Sequence, residues 1–141
     1  MEFLRKAIHL LDSGKYTCVL CDESRCITTQ LRGVRPLVQW LNDPPISSGF
    51  CAADRVIGKA TAFLYCLLGA KAVYAKVLSR GAQVVLEEHN VIYKFDVLTE
   101  FVENRTKDGM CPFEKAVMDI SDPHEALRVI YLKMEELGIE I

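Results

Sequence analysis

A long apolar segment at residues 51–68 dominates the sequence. Its charged side chains, Asp54, Arg55 and Lys59, all lie near its start, and the remainder is apolar on every side. A helix that is hydrophobic all round is buried all round. The pattern therefore predicts one buried helix over residues 51–68, ended by Gly69.

The rest of the chain divides into short apolar runs separated by turn residues. We predict helices at residues 2–12, 36–41, 79–88, 98–104, 111–120 and 123–137. We predict strands at residues 16–21, 25–29, 72–78 and 91–95. The first two strands form a hairpin, and the last two flank a helix, which implies a parallel pair. This order predicts an α/β fold, a three-layer α/β/α sandwich around a mixed sheet of about four strands. A length of 141 residues predicts a single domain over residues 1–141.

The charge balance argues against a nucleic-acid or membrane partner. The chain has 17 basic and 19 acidic residues, a net charge of −2, which gives no support for bulk phosphate binding. The apolar run at residues 60–70 is too short to cross the ~30 Å hydrocarbon core of a bilayer. Charged side chains interrupt the N-terminal apolar residues, so no secretory signal is expected. We therefore expect a cytoplasmic protein whose six cysteines are reduced thiols.

The segment around Cys111 is the sharpest local signal for chemistry. Pro112 suits the first position of a helix, which places Cys111 at the N-cap and Glu114 where a capping-box acid belongs. Free backbone N–H groups and the helix dipole lower the pKa of a thiol at such a position. Cys111 is therefore a candidate nucleophile assisted by Glu114 or Asp54. The alternative is a small buried cysteine beside an ordinary helix start.

Asp54 and Lys59 are a second candidate pair. On a helix beginning at residue 51, Asp54 lies in the first turn, where a carboxylate can be a cap, a metal ligand or a proton shuttle. Lys59 would need a polar partner on an otherwise buried helix. The alternative is that Asp54 only satisfies the helix dipole and Lys59 extends its amine to solvent.

A third set of side chains could hold an anion. Arg32 lies beside a glycine and a helix start, and Arg105 follows Asn104. Guanidinium groups bind phosphate and carboxylate oxygens well. Ser79 opens a helix directly after a central strand, at the sheet edge where α/β proteins bind ligands. The alternatives are exposed arginines and an ordinary serine cap.

No metal or cofactor site is predicted. Cys18, Cys21 and Cys26 look like a metal knuckle, but residues three apart in a strand point to opposite faces. The segment has no second Cys-x-x-Cys pair and no nearby histidine, so zinc is not expected there. No Walker loop, G-x-G-x-x-G or G-x-S-x-G motif is present.

Three stretches together resemble domain-of-unknown-function family 1893. They are LRGVRPL at 31–37, AADRVIGKA at 52–60, and the segment from Asn104 to CPFE at 111–114. The resemblance implies a fold similar to the cytidine deaminases. Deaminases place His-x-Glu or Cys-x-Glu on the buried helix and Pro-Cys-x-x-Cys on the next one. Here those places read CAAD at 51–54 and LSRGA at 78–82, so two of three zinc ligands are missing.

These observations favour a zinc-free, deaminase-like domain that binds a small anionic or nucleotide-like molecule. The predicted ligand-binding residues are Arg32, Lys59, Ser79, Asn104 and Arg105. The predicted catalytic residues, should the protein be an enzyme, are Cys111, Asp54 and Glu114. One alternative is an enzyme with Cys111 as thiol nucleophile, and the other is a structural or oligomerisation module that forms a homodimer.

Overall fold

The structure, a computed structural model, describes residues 2–140. The two end residues of the predicted domain lie outside this range. The helices are α1 (Glu2–Ser13), α2 (Arg35–Asn42), α3 (Lys59–Leu68), α4 (Arg80–Glu88), α5 (Pro112–Ala116) and α6 (Pro123–Glu136). The strands are β1 (Cys18–Cys21), β2 (Cys26–Thr29), β3 (Cys51–Ile57), β4 (Ala72–Ser79) and β5 (Ile92–Thr99).

The strands form one mixed sheet in the order β2-β1-β3-β4-β5. The pairs β1–β2 and β1–β3 are antiparallel, whereas β3–β4 and β4–β5 are parallel. The predicted hairpin, the parallel pair and the mixed α/β class are therefore confirmed. The sheet has five strands rather than about four, because the segment at residues 51–57 is itself a strand.

The prediction of one helix over residues 51–68 is wrong. The segment divides at Gly58: Cys51–Ile57 is a strand, and Gly58 is the N-cap of α3. A central strand covered on both faces is a nearly continuous apolar run, which periodicity cannot distinguish from a buried helix. Asp54 therefore lies within a strand and does not begin a helix.

The helix predicted at residues 98–104 is also wrong. β5 continues to Thr99, and the chain then reverses through a loop closed by an isolated bridge between Glu103 and Met110. The helix predicted at 111–120 is shorter, Pro112–Ala116. Tertiary pairing with β4 extends β5, since seven of its eight residues from Ile92 to Thr99 have a register partner on that strand.

Alternating side chains of the sheet enter two apolar clusters. Val19, Ala53 and Tyr74 pack with α1 on one face of the sheet. Leu20 and Val73 belong to a larger cluster with residues of α2, α3, α4 and α6. The period of two along each strand explains this division, because neighbouring residues point to opposite faces. Within residues 2–140, no helix has the length and apolar character needed to cross a membrane.

Two of the six cysteines are bonded to each other. Cys21 and Cys26 are directly opposite in the β1–β2 hairpin, and their sulfurs form a disulfide. The expectation of reduced thiols therefore does not hold for this pair. The register of the hairpin places Cys21 directly opposite Cys26, although the two are five residues apart in the sequence. The free thiols of the described chain are Cys18, Cys51, Cys66 and Cys111.

Candidate functional site

A cavity of about 650 Å³ lies where β3, the start of β1 and the start of α3 meet the segments 31–37 and 102–114. Its size falls within the usual range for small-molecule pockets, about 300–1,000 Å³. Of the residues singled out by the sequence, those that line it are Arg32, Asp54, Arg105, Cys111 and Glu114. The fold thus collects these five side chains from three separate parts of the chain: residues 31–37, β3 and residues 102–114.

Asp54 ends a chain of buried polar groups. It lies directly opposite Cys18 in the β1–β3 pair, so both side chains share one face of the sheet. The Tyr65 hydroxyl on α3 donates to Asp54 Oδ2 over 2.7 Å, and Cys18 Sγ lies 2.9 Å from the same hydroxyl. Because the tyrosine proton goes to Asp54, the thiol must donate to the tyrosine oxygen. We name this arrangement the Cys18–Tyr65–Asp54 chain.

Burial shifts the proton affinity of every member of the Cys18–Tyr65–Asp54 chain. It raises the pKa of Asp54 to about 6, although the hydrogen bond from Tyr65 opposes the shift. It also raises the pKa of Cys18 and of Tyr65 well above their ordinary values, assisted by the charge of Asp54. At neutral pH the thiol and the phenol therefore stay protonated, and Asp54 is the group of the three that titrates.

Glu114 is held by three donors from three different elements. Its Oε1 accepts from the backbone N–H of Lys59 at 2.7 Å and from the Ser79 hydroxyl at 2.9 Å. Its Oε2 accepts from the backbone N–H of Val102 at 2.6 Å. The carboxylate is only 7% exposed. Glu114 therefore joins α3, β4 and the segment after β5, and it does not form the predicted capping box of α5.

This carboxylate also occupies the N-terminus of α3. A helix N-terminus attracts an anion through its free N–H groups and its dipole. Here the chain supplies that anion itself. Gly58 permits the approach, because a Cβ on it would lie 2.9 Å from Glu114 Oε2 and 2.9 Å from Val102 Cγ2. The N-terminus of α3 is therefore already occupied by Glu114.

Three predicted ligand-binding residues do not line the cavity. Lys59 donates through Nζ to the Met118 carbonyl at 2.6 Å, because the helix start directs its side chain toward the end of α5. Ser79 is the N-cap of α4 and accepts from Ala82 N–H at 3.1 Å, besides donating to Glu114. Asn104 bonds to Asp108 and Thr106 within its own loop. The Ser79 cap itself is confirmed.

Cationic side chains surround the cavity. Lys15, Arg32 and Arg105 line it, and none has a hydrogen bond or ion pair to another side chain or carbonyl of residues 2–140. Arg55 also lines it, but its guanidinium donates to the carbonyls of Tyr16, Leu11 and Gly14. Arg55 thus fixes the end of α1, whereas the other three cations remain available.

Cys111 lines the same cavity as Asp54 and is half-buried. It is the N-cap of α5, as the sequence predicts, but its side chain makes no capping hydrogen bond. Its backbone N–H donates to the Val102 carbonyl at 2.7 Å. The backbone therefore positions the thiol, and the thiol accepts no hydrogen bond from the N–H groups at the start of α5.

Sequence reasoning missed Lys15 and Tyr65, and it considered Cys18 only as a metal ligand. Cys18 was predicted to lie in a strand, but only the register of β1 against β3 shows that it lies opposite Asp54. Tyr65 was read as part of an apolar helix, although its hydroxyl needs a partner when buried. Across residues 2–140, no three His, Cys, Asp or Glu side chains are grouped so that they could hold a metal ion.

Comparison with known proteins agrees with the sequence resemblance. The model of the TM1506 family, described as a domain of unknown function (DUF1893), matches residues 6–134. The crystal structure of a DUF1893 family protein (TM1506) from Thermotoga maritima is similar, with a TM-score of 0.85 and 26% identity. The match covers 94% of this chain and 90% of that one. No curated protein matches the chain. The chain thus belongs to the DUF1893 family.

Proposed function

We propose that the cavity binds a small organic anion, nucleotide-like in having a negative group joined to a flat, largely apolar body. The observation that carries the proposal is a set of three cations around one cavity, Lys15, Arg32 and Arg105, which have no partner among residues 2–140. The chain as a whole has a net charge of −2, so this local excess of positive charge is not a property of the general surface. A cationic mouth raises the local concentration of anions.

The walls of the cavity suit the apolar body of such a ligand. Leu31, Leu37, Val102 and Phe113 lie among its lining residues. Small-molecule sites combine apolar walls with a few placed polar groups that fix orientation. The Asp54 carboxyl supplies one such group, as an acceptor when ionised and as a donor when protonated.

The carboxyl groups of the lining do not cancel this preference for an anion. Glu114 already accepts three hydrogen bonds, and Asp54 has its pKa raised to about 6 by burial. Asp54 is still mostly ionised at pH 7, and Glu103 is a third carboxyl group of the lining. The four cations of the lining, Arg55 included, nevertheless outnumber its three carboxyl groups. The anion would contact Arg32 and Arg105, whose guanidinium groups can each give two parallel hydrogen bonds.

We further propose that the fold is cytidine-deaminase-like and works without zinc. Helices on both faces of a mixed sheet support the first part. The sequences at the starts of the two helices that follow β3 and β4 support the proposal that zinc is not used. They read KAT at 59–61 and SRGA at 79–82, with no histidine or cysteine. The donors present do not fit a zinc site, so the proposed role is binding.

Affinity measurements test the anion site. We expect calorimetry with a nucleoside monophosphate to detect binding, and the matching nucleoside to bind at least about tenfold more weakly. The double variant Arg32→Ala with Arg105→Ala should lose about tenfold or more in affinity for the monophosphate and little for the nucleoside. Arg5→Ala, which removes an exposed cation on α1, is the matched control. Equal affinity of wild type and double variant would contradict the proposal.

A second candidate function is thiol chemistry at Cys111, favoured because this half-buried thiol and Asp54 line one cavity. In such a reaction the thiol gives its proton to a base, and its sulfur forms a bond to an electrophilic carbon of the ligand as the bond from that carbon to a leaving group breaks. Asp54 is the candidate base, since Glu114 is fully engaged in hydrogen bonds.

Alkylation tests this second candidate with an internal control. We expect iodoacetamide at neutral pH to modify Cys111 faster than Cys66, whose pKa burial raises to about 11. Mass spectrometry of the digested protein gives both rates in one sample. Asp54→Asn should slow the modification of Cys111 and leave Cys66 unchanged. A rate at Cys111 equal to that of a model thiol with pKa ~8.5 would rule the candidate out.

A further inference from the structure

The outer edge of β5 is the most unusual surface of the protein. β5 ends the sheet, and its only strand neighbour among residues 2–140 is β4. Its apolar side chains are open to solvent: Ile92 is 50% exposed, Phe95 38% and Val97 54%. Long, apolar edge strands invite pairing with another strand.

Of the usual protections of an edge strand, β5 has only charged side chains. Its sequence, IYKFDVLT, contains no proline and no glycine, and it pairs with β4 in unbroken register along its apolar stretch. Native edges are normally blunted by proline, a bulge, a short length, a cover or charged side chains, especially lysine. Lys94 and Asp96 are the charges on the strand, and they have opposite signs.

We propose that β5 pairs antiparallel with β5 of a second copy of this chain, about a two-fold axis at Phe95. In this register Lys94 of each copy faces Asp96 of the other, so the interface contains two ion pairs. On the opposite face, Tyr93 meets Val97 of the second copy and Phe95 meets Phe95. Opposite charges and aromatic pairs directly across antiparallel strands are stabilising.

The charge pattern selects this register over its neighbours. A two-fold axis at Asp96 places two aspartates opposite each other, and one at Lys94 places two lysines opposite each other. Like charges directly across a strand pair are destabilising. When the two-fold axis moves by one residue, the pairing register of the two strands shifts by two residues. The axes at Lys94 and Asp96 are therefore the nearest alternatives to the axis at Phe95. The sequence of β5 is thus complementary to itself in one register.

The side-chain placement agrees with this pairing. Lys94 is the register partner of Tyr74, and Phe95 of Ala75, so the two lie on opposite faces of the sheet. The Asp96 carboxylate accepts from the Tyr74 hydroxyl at 2.6 Å, which holds it in place for a lysine from the second copy. The Tyr93 and Phe95 rings are stacked with centroids 6.3 Å apart, forming the start of an aromatic row. The dimer would contain a continuous ten-stranded sheet.

Charge reversal and re-reversal test the register. Sedimentation velocity of the wild-type chain should show a dimer of twice 15.9 kDa. Lys94→Asp faces Asp96 of the second copy with a like charge, so the dissociation constant should rise by about tenfold or more. The double variant Lys94→Asp with Asp96→Lys restores opposite charges and should restore the dimer. Lys115→Asp, an exposed lysine on α5, is the matched control.

A further variant separates dimer loss from misfolding. Phe95→Asp changes an exposed side chain and brings two carboxylates together at the two-fold axis, so it should give a folded monomer by circular dichroism. A wild-type chain that stays monomeric at about 100 μM, where an ordinary homodimer is assembled, would overturn the proposal. So would a dimer that Lys94→Asp and Phe95→Asp leave equally stable.

Discussion

Replacing Glu114 with alanine is expected to lower the free energy of unfolding by about 3–5 kcal/mol. The carboxylate receives hydrogen bonds from the Lys59 and Val102 backbone N–H groups and from the Ser79 hydroxyl. Removing it leaves these donors buried without an acceptor, and each unpaired group costs about 1–3 kcal/mol. It also removes the negative charge at the N-terminus of α3.

Urea unfolding followed by circular dichroism measures this effect. Glu114→Gln keeps one acceptor oxygen but brings an amide donor toward a backbone N–H, so its loss should be intermediate, about 1–3 kcal/mol. Glu88→Ala removes an exposed glutamate on α4 and should change stability by less than about 0.5 kcal/mol. A Glu114→Ala protein as stable as the Glu88→Ala control would show that the three hydrogen bonds contribute nothing.

Asp54→Asn is expected to stabilise the protein by about 2 kcal/mol at neutral pH. Burial raises the pKa of Asp54 from 3.8 to about 6, so ionisation is harder in the folded chain than in the unfolded one. The contribution of this group to stability is fully present below pH ~4 and is lost as the pH rises through ~6, about 3 kcal/mol in total. An asparagine carries no charge, and its carbonyl can still accept from Tyr65. Its amide group replaces the oxygen that accepts from the Val56 N–H at 3.3 Å, so the net gain is about 2 rather than about 3 kcal/mol.

The pH dependence distinguishes this cause from a change in packing. The stability advantage of Asp54→Asn should be small at pH ~4 and should grow between pH ~4 and ~7. Urea unfolding of both proteins across this range measures it, and Asp12→Asn, at an exposed aspartate paired with Lys76, is the comparison. A constant difference between wild type and Asp54→Asn at all pH values would contradict a raised pKa.

The class of fold follows from sequence patterns because most elements have clear ends. The hairpin at β1–β2, the Ser79 cap and the helix of α6 all carry local signals. The segment at residues 51–68 carries no such signal, since Gly58 separates two equally apolar halves. Residues 51–57 form a strand because both faces of β3 are covered by other parts of the protein. That covering depends on the whole fold and leaves no local signal in the sequence.

Some residues of the site were predictable from the sequence, but its geometry was not. Arg32, Asp54, Arg105 and Cys111 were singled out by residue type and position, and the fold brings them to one cavity. The role of Glu114 was misread, because its partners lie on elements that the sequence separates by up to 55 residues. Lys59 was misread for the same reason, since its amine meets a carbonyl of the loop after α5.

The location of a bound nucleotide tests the central claim most directly. A crystal structure of the protein soaked or grown with a nucleoside monophosphate should show the phosphate within hydrogen-bond distance of Arg32 and Arg105. The base should then lie against the apolar wall near Phe113, on the side of Asp54. A ligand bound elsewhere on the protein, or no ligand in this cavity at saturating concentration, would contradict the account.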